Sequence, residues 1–159
     1  MKYVYFSLVK CIIKSCKFDV EENDSMKIKE IDASEIWQIR HKVMWPDQPL
    51  EFVQLEEDSS GLHFGFHIDE KLVSIVSCFI SDTEMQFRKL ATLPEYEGQG
   101  IASELLESIF ELANQKNLKR IWCNARADKK SFYEKLGMKD TFQTFSKLGQ
   151  KFTIMEIWI

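Results

Sequence analysis

The sequence predicts one mixed α/β (α+β) domain whose central sheet has about six to seven strands, flanked by helices. Three observations carry this reading. Segments of period two alternate with segments of period 3.6 from Met26 to the end of the chain. One strand–helix–strand crossover (84–93, 101–115, 119–126) calls for a parallel pair in a sheet otherwise joined by hairpins. The 159 residues are 45% apolar and 29% charged, with twelve Phe and four Trp, enough for one self-sufficient core.

Met26 and Ile28 alternate with Lys27 and Lys29 ahead of Ile31, the pattern of a strand. Asp32 or Ser34 is placed to cap a helix through Val43, with Ile36, Ile39 and Val43 on one face. From Trp45 to Gly61 come two prolines and the acids Asp47, Glu51, Glu56, Glu57 and Asp58, a long loop or short irregular helix. His63–Ile68, the turn Asp69-Glu70-Lys71 and Leu72–Ile80 read as a hairpin, and Glu84–Leu93 as a strand stopped by Pro94. A strong helix follows from Ile101 to Gln115, its stripe Ile101, Leu105, Ile109 and Leu112 opposite Glu104, Glu107 and Glu111. Lys119–Arg126 is a strand and Lys129–Leu136 a short helix. Met138–Phe145 and Phe152–Ile159 make a final hairpin turning at Leu148-Gly149.

The net charge of −4 lacks the basic excess of a nucleic-acid-coating protein. Nothing approaches the ~18 uninterrupted apolar residues of a membrane span. Cys11, Cys16, Cys78 and Cys123 form no C-x-x-C or metal-like spacing, so a reduced, cytoplasmic protein is expected. Residues 1–25 stand apart. Lys2, Lys10, Lys14 and Lys17 precede any acid, and Lys10 and Lys14 interrupt the run Val4–Ile13, against a signal peptide. The domain is placed at 26–159, with 1–25 an appendage or an over-extended gene start.

The most chemical content lies in Leu90-Ala91-Thr92-Leu93-Pro94-Glu95-Tyr96-Glu97-Gly98-Gln99-Gly100-Ile101-Ala102-Ser103. A strand ends, and glycines without Cβ let the backbone approach a ligand. A helix then opens with unpaired N–H groups at its positive end, which suits phosphate oxygens. G-x-G alone fits an ordinary turn equally well. Ser103 stands where a dinucleotide fingerprint needs Gly, and G-x-x-x-x-G-K-[ST] is absent, so neither nucleotide motif applies.

Three features together resemble the GNAT superfamily of acyl-CoA-dependent N-acyltransferases. One is L-x-T-L-P-E-Y-E-G-Q-G-I-A-S with its following helix. Another is Phe132-Tyr133-Glu134-Lys135-Leu136-Gly137-Met138, close to the family's F-Y-E-K-L-G-F; the third is the element order from Met26 to Ile159. Ile121-Trp122-Cys123-Asn124-Ala125-Arg126 and Arg40-His41-Lys42-Val43 also resemble an uncharacterised bacterial branch. The resemblance implies a GNAT-like fold and acetyl transfer from acetyl-CoA directly to a primary amine of a small molecule or peptide. No metal, nucleic acid or membrane is implied; a homodimer stays open. The alternative is a non-catalytic sensor of an acyl-CoA or metabolite.

By the same resemblance, backbone groups of Leu90, Ala91 and Thr92 hold the pantetheine arm and acetyl carbonyl. Amides of Gly98, Gln99, Gly100, Ile101, Ala102 and Ser103 cradle the pyrophosphate, and Tyr133 protonates the departing thiolate. A phenol of pKa ~10 stays protonated at neutral pH and suits that task. Without the motif, Tyr133 reads equally as an aromatic core residue beside Phe132.

Two departures stand out. Glu97 replaces the family's usual Gln or Arg and brings an anion near the pyrophosphate. Asn124 aligns where some relatives carry a catalytic Glu, and the shortened connection from Arg126 to Tyr133 lacks the usual cofactor-contacting Asn. Arg126, Lys129 or Lys130 are candidates to contact phosphate instead, solvated helix-end cations being the alternative for the lysines. No general base follows from the motifs. Glu51, Glu56, Glu57 and Asp58 read as a solvated acidic loop or as an attractor for an ammonium. Arg40 and His41 read as helix-surface residues or as part of the same cleft.

Other constellations fail on geometry. His63 and His67 are spaced like helical metal ligands, but on a strand that separation is about 13 Å, too far to share one ion. Cys123 has no sequence pattern of a Cys-His nucleophile and reads as a buried thiol.

Overall fold

The computed structural model describes residues 26–159; the expected N-terminal appendage, with Cys11 and Cys16, lies outside the described residues. In chain order come β1 (Met26–Glu30), α1 (Ala33–Met44), β2 (Leu62–Ile68), β3 (Lys71–Ser81) and β4 (Glu84–Thr92). They are followed by α2 (Ile101–Gln115), β5 (Arg120–Arg126), α3 (Lys130–Lys135), β6 (Lys139–Lys147) and β7 (Gln150–Trp158). The acidic stretch between α1 and β2 is wound into two 3₁₀ turns, Leu50–Val53 and Glu56–Ser60. One seven-stranded sheet results, in the order β1-β2-β3-β4-β5-β7-β6. Only β4 and β5 run parallel, because α2 carries the chain back between them.

Helices cover both faces of the sheet. Successive β3 side chains alternate, so Val73 and Ile75 meet Ile36 and Ile39 of α1, whereas Val76 and Cys78 meet Leu105, Leu106 and Ile109 of α2. Burial of each such aliphatic side chain contributes about 1.5–3 kcal/mol. The α2 stripe differs slightly from the expected one: Leu106 and Ala113 are buried and Leu112 only half-buried. The helix thus presents a wide apolar face to the sheet and not a narrow seam. On the α1 face farther along, Phe79, Ser81, Glu84, Gln86, Arg88 and Trp122 line a surface cavity of about 660 Å³.

Two readings of side-chain environment need correction. Arg40 is a fully buried residue, not a helix-surface one, and Asp58 is 3% exposed, not a solvated loop acid. They pair with each other. Arg40 Nη1 donates to Asp58 Oδ2 at 2.7 Å and Nη2 to Oδ1 at 2.9 Å, a two-pronged contact that neutralises both charges.

Candidate active site

The site begins with a parallel pair that does not stay paired. Only Glu84–Gln86 of β4 are in register with Arg120–Trp122 of β5. Beyond them β5 remains bonded to β7 through Arg126, while β4 remains bonded to β3 through Thr92. The two strands therefore diverge, and among the described residues no strand lies between the facing edges of Phe87–Thr92 and Cys123–Arg126.

A bulge in β4 helps to open this gap. Ser77 pairs with Arg88 and Ile75 with Ala91, so Lys89 and Leu90 together stand opposite Val76. Lys89 takes a left-handed backbone conformation, φ 57°, which is uncommon for a residue with a long side chain. After the bulge the Leu93 N–H donates to the Val73 carbonyl at 2.9 Å. Strand alternation then turns the N–H and C=O of Ala91 toward β3 and those of Thr92 toward the gap. Of the strand residues expected to hold the pantetheine arm, Thr92 has the fitting backbone orientation. The Ala91 carbonyl instead accepts from Ser74 Oγ at 3.0 Å.

At the end of β4 the chain turns through Gly98 and Gly100, with φ of 73° and 82°, into the start of α2. A Cβ at either glycine meets no atom of the described residues within 4 Å, so both border open space there. The Glu104 N–H bonds to the Gly100 carbonyl, and the amides ahead of it belong to the turn that has no intrahelical acceptor. Gln99 Nε2 donates to the Glu95 carbonyl at 3.3 Å, while Glu97 and Ser103 border the same opening. These residues fit a diphosphate: free N–H groups, no obstructing Cβ and the positive end of a fifteen-residue helix.

Tyr133 comes from α3 to the same gap. Its ring packs on Phe87 of β4 at 6.1 Å between centroids and edge-on to Phe132 at 5.0 Å. Burial, and secondarily the neighbouring Cys123 of β5, push its phenol well above the ordinary range. No described residue hydrogen-bonds the hydroxyl, so it remains a protonated donor. Cys78 and Cys123 are buried thiols, each pushed upward by burial, and neither has thiolate character at neutral pH.

Two of the three cations expected near phosphate, Arg126 and Lys130, are engaged elsewhere. The Arg126 guanidinium donates to both oxygens of Asp128 at 3.2 and 3.1 Å, and Lys130 bonds Asp140 at 2.8 Å. Lys129 and Asn124 are exposed. Arg88 leans over Phe79 at 4.6 Å, donates to Gln86 Oε1 at 2.7 Å and lies 3.4 Å from Glu57.

Behind this face lies a buried polar network with no precedent in the motifs. Asp58 Oδ2 also accepts from Trp37 Nε1 and the Leu55 N–H, each at 2.9 Å. Arg40 reaches the Val53 carbonyl at 3.0 Å and Ser77 Oγ at 2.8 Å. The Asp58 carbonyl can only accept, so His63 Nε2 donates to it at 2.8 Å; Nδ1 then accepts the Ser77 hydroxyl proton at 2.9 Å. His63 is therefore held as a structural residue of this network. Among the described residues no group of three or more His, Cys, Asp or Glu is placed to hold a metal. No helix among them is long and apolar enough to cross a membrane.

A diverging parallel pair with a glycine turn at its wide end fits the GNAT-like α+β fold that the sequence resemblance implies. The profile of the Acetyltransferase (GNAT) family matches residues 30–138, so this chain belongs to the GNAT acetyltransferase family. It is 29% identical over 133 residues to the uncharacterised N-acetyltransferase YitI of Bacillus subtilis (strain 168), covering 78% of this chain and 89% of that protein. A Lactobacillus plantarum protein classed as an N-acetyltransferase superposes with a TM-score of 0.76 at 18% identity, covering 84% of this chain and 98% of the other. A GNAT family acetyltransferase from Elizabethkingia anophelis, solved with acetyl-CoA bound, superposes at 0.68 with 14% identity, covering 86% and 99%. Members of this family use acetyl-CoA.

Proposed function

We propose that residues 26–159 form an N-acetyltransferase domain that moves an acetyl group from acetyl-CoA directly to a primary amine of a small molecule or peptide. The observation that carries this is the β4–β5 gap, with acceptor-free amides at its wide end and a protonated phenol against its wall. The Elizabethkingia relative holds acetyl-CoA on the same fold, which supports the cofactor assignment.

Acetyl-CoA supplies an activated acetyl thioester. Thr92 orients its arm through the gap-facing backbone of β4, next to the bulge residue Leu90. The amides from Gly98 to Ser103 bind its pyrophosphate, and Glu97 must turn its carboxylate away. Tyr133 then donates its phenolic proton to the sulfur that leaves, a step worth roughly 10²–10⁴ in rate. The cavity lined by Phe79, Gln86, Arg88 and Trp122 offers room for the acceptor on the α1 face of the sheet.

The test is thiolate release from acetyl-CoA against a panel of amines, alongside direct binding of acetyl-CoA. Turnover with one or more amines is expected. Binding without release for any amine would assign the chain to the sensor class, and no binding would remove the reading altogether.

A further inference from the structure

Lys89 has no part in the acetyl-transfer scheme. It is half-buried, it sits at the bulge that opens the gap, and no described residue accepts a hydrogen bond from its ammonium. Its electrostatic neighbours are mostly of like sign: Arg40 from α1, Lys147 from the far end of β6 and the adjacent Arg88; the opposing carboxylate is Asp58. Asp58 is already saturated by Arg40, Trp37 and the Leu55 amide. Two further acids of this face are engaged elsewhere: Glu57 lies by Arg88 and Glu84 is held by Arg120. A second donor without an acceptor among the described residues is the buried Arg40 Nε. Burial, then Arg40 and Lys147, lower the Lys89 pKa, the mark of a cation whose charge is poorly compensated.

With Arg40 offset by Asp58, Lys147 of β6 and Arg88 of β4 bring positive charge to Lys89, ahead of the loop proposed for pyrophosphate. Gly98 lies nine positions farther along (98 − 89 = 9), so this charge is at the acyl end of the gap and not at the phosphate end. An ammonium with three donors and no acceptor is costly when half-buried, and an oxyanion relieves that cost. A plain cationic amine or polyamine gains nothing here and is repelled.

We propose that Lys89, flanked by Arg88, binds an oxyanion carried by the acceptor itself, so that the preferred acceptor is an amine bearing a carboxylate or phosphate group. The proposal rests on the acetyl-transfer reading and deepens it. The cationic surroundings also favour the neutral form of the acceptor's amine, which is the form that attacks a thioester. Part of the work of a general base is then done by the field.

The experiment compares matched acceptors by thiolate release in the full chain: α-amino acids, their primary amides, and O-phosphoethanolamine against ethanolamine. The charged member of each pair should have the lower KM. The carboxylate and phosphate arms decide which oxyanion is read. Lys89→Met should raise KM for the anionic acceptors about 10- to 100-fold while kcat stays within a factor of a few, and should leave the neutral amides nearly unchanged. Lys89→Arg should restore most of the preference. Binding of N-acetylated amino acids and of their amides in the presence of coenzyme A, followed by calorimetry, gives a readout independent of turnover. The proposal is overturned by a preference for neutral or polycationic amines, or by equal binding of acid and amide. An equal loss of kcat on every acceptor in Lys89→Met would also overturn it, since that marks a base or a carbonyl-polarising group. Failure of acetyl-CoA itself to bind would instead strike the acetyl-transfer reading.

Discussion

Tyr133 is where two readings of one residue diverge, core aromatic or proton donor, and its surroundings are compatible with both at once. The ring is packed between Phe87 and Phe132 while no described residue hydrogen-bonds the hydroxyl. Tyr133→Phe keeps the packing and deletes the donor, so turnover and kcat/KM should fall together by about ten- to a thousandfold, with acetyl-CoA affinity unchanged. The phenol is pushed above its ordinary value, so the donor form persists as pH rises. The rate profile should therefore show no loss between pH 7 and about 10 that Tyr133→Phe removes. Full turnover in Tyr133→Phe, with chemistry rate-limiting, would transfer the role to water. Arg40 shows the limit of reading residues one at a time. It follows Ile36 by four positions and so falls on the buried stripe of α1, a signal that its charge type conceals. A buried guanidinium needs a carboxylate, and Asp58 is among the acids of the next segment.

At the scale of elements, the β4–turn–α2 unit was legible almost to the residue. Period-two alternation stops at Pro94, two glycines follow, and the helical stripe starts at Ile101. The bulge was not legible. Lys89 is an ordinary residue in a strand-like run, and its positive φ arises only because β3 holds register on both sides of it. The gap was equally hidden, since it depends on β5 following β7 instead of β4. Gly100→Val puts a β-branched side chain at φ 82° and into the space proposed for pyrophosphate. It should abolish the rise in Tm that acetyl-CoA causes by binding the folded state. Strain at that φ costs stability on its own, about 1–3 kcal/mol, so Gly100→Asn, which tolerates the left-handed region, serves as the companion. Both should lose the ligand-induced shift; a full shift in either would refute the assignment of these amides. Glu97→Gln removes a like charge from the same opening and should tighten acetyl-CoA binding. Weaker binding would show that the carboxylate orders the loop.

Across the whole molecule, α1, both 3₁₀ turns, β2 and β3 meet in the Arg40–Asp58–Ser77–His63 network, which fixes the acidic segment against the open face of the sheet. Element order made the fold readable, but this long-range pairing spans eighteen positions and follows no local period. Its energetics give a sharp expectation. Removing one partner leaves the other charge buried, so Asp58→Asn and Arg40→Met should each lower unfolding free energy by about 3–5 kcal/mol at pH 7. The double variant should lose clearly less than the sum of the two, because it buries no orphan charge. Acid provides the second arm. Burial raises the Asp58 pKa, but hydrogen bonds from Arg40, the Leu55 amide and Trp37, aided by the Arg40 charge, outweigh it and hold it below the ordinary value. Stability from a depressed carboxylate is present above the unfolded pKa of ~3.9 and drains away as pH falls through the folded one. Asp140, held at about 2 by Lys130 and Thr153, drains over the same acid range and serves as an internal reference. Urea midpoints measured from pH 6 down to pH 2 should therefore fall steeply in the wild type and less steeply in Arg40→Met, while Arg40→Met/Asp140→Asn flattens further. Additive losses at pH 7, or an acid slope untouched by Arg40→Met, would mean that the pair does not hold the acidic segment in place.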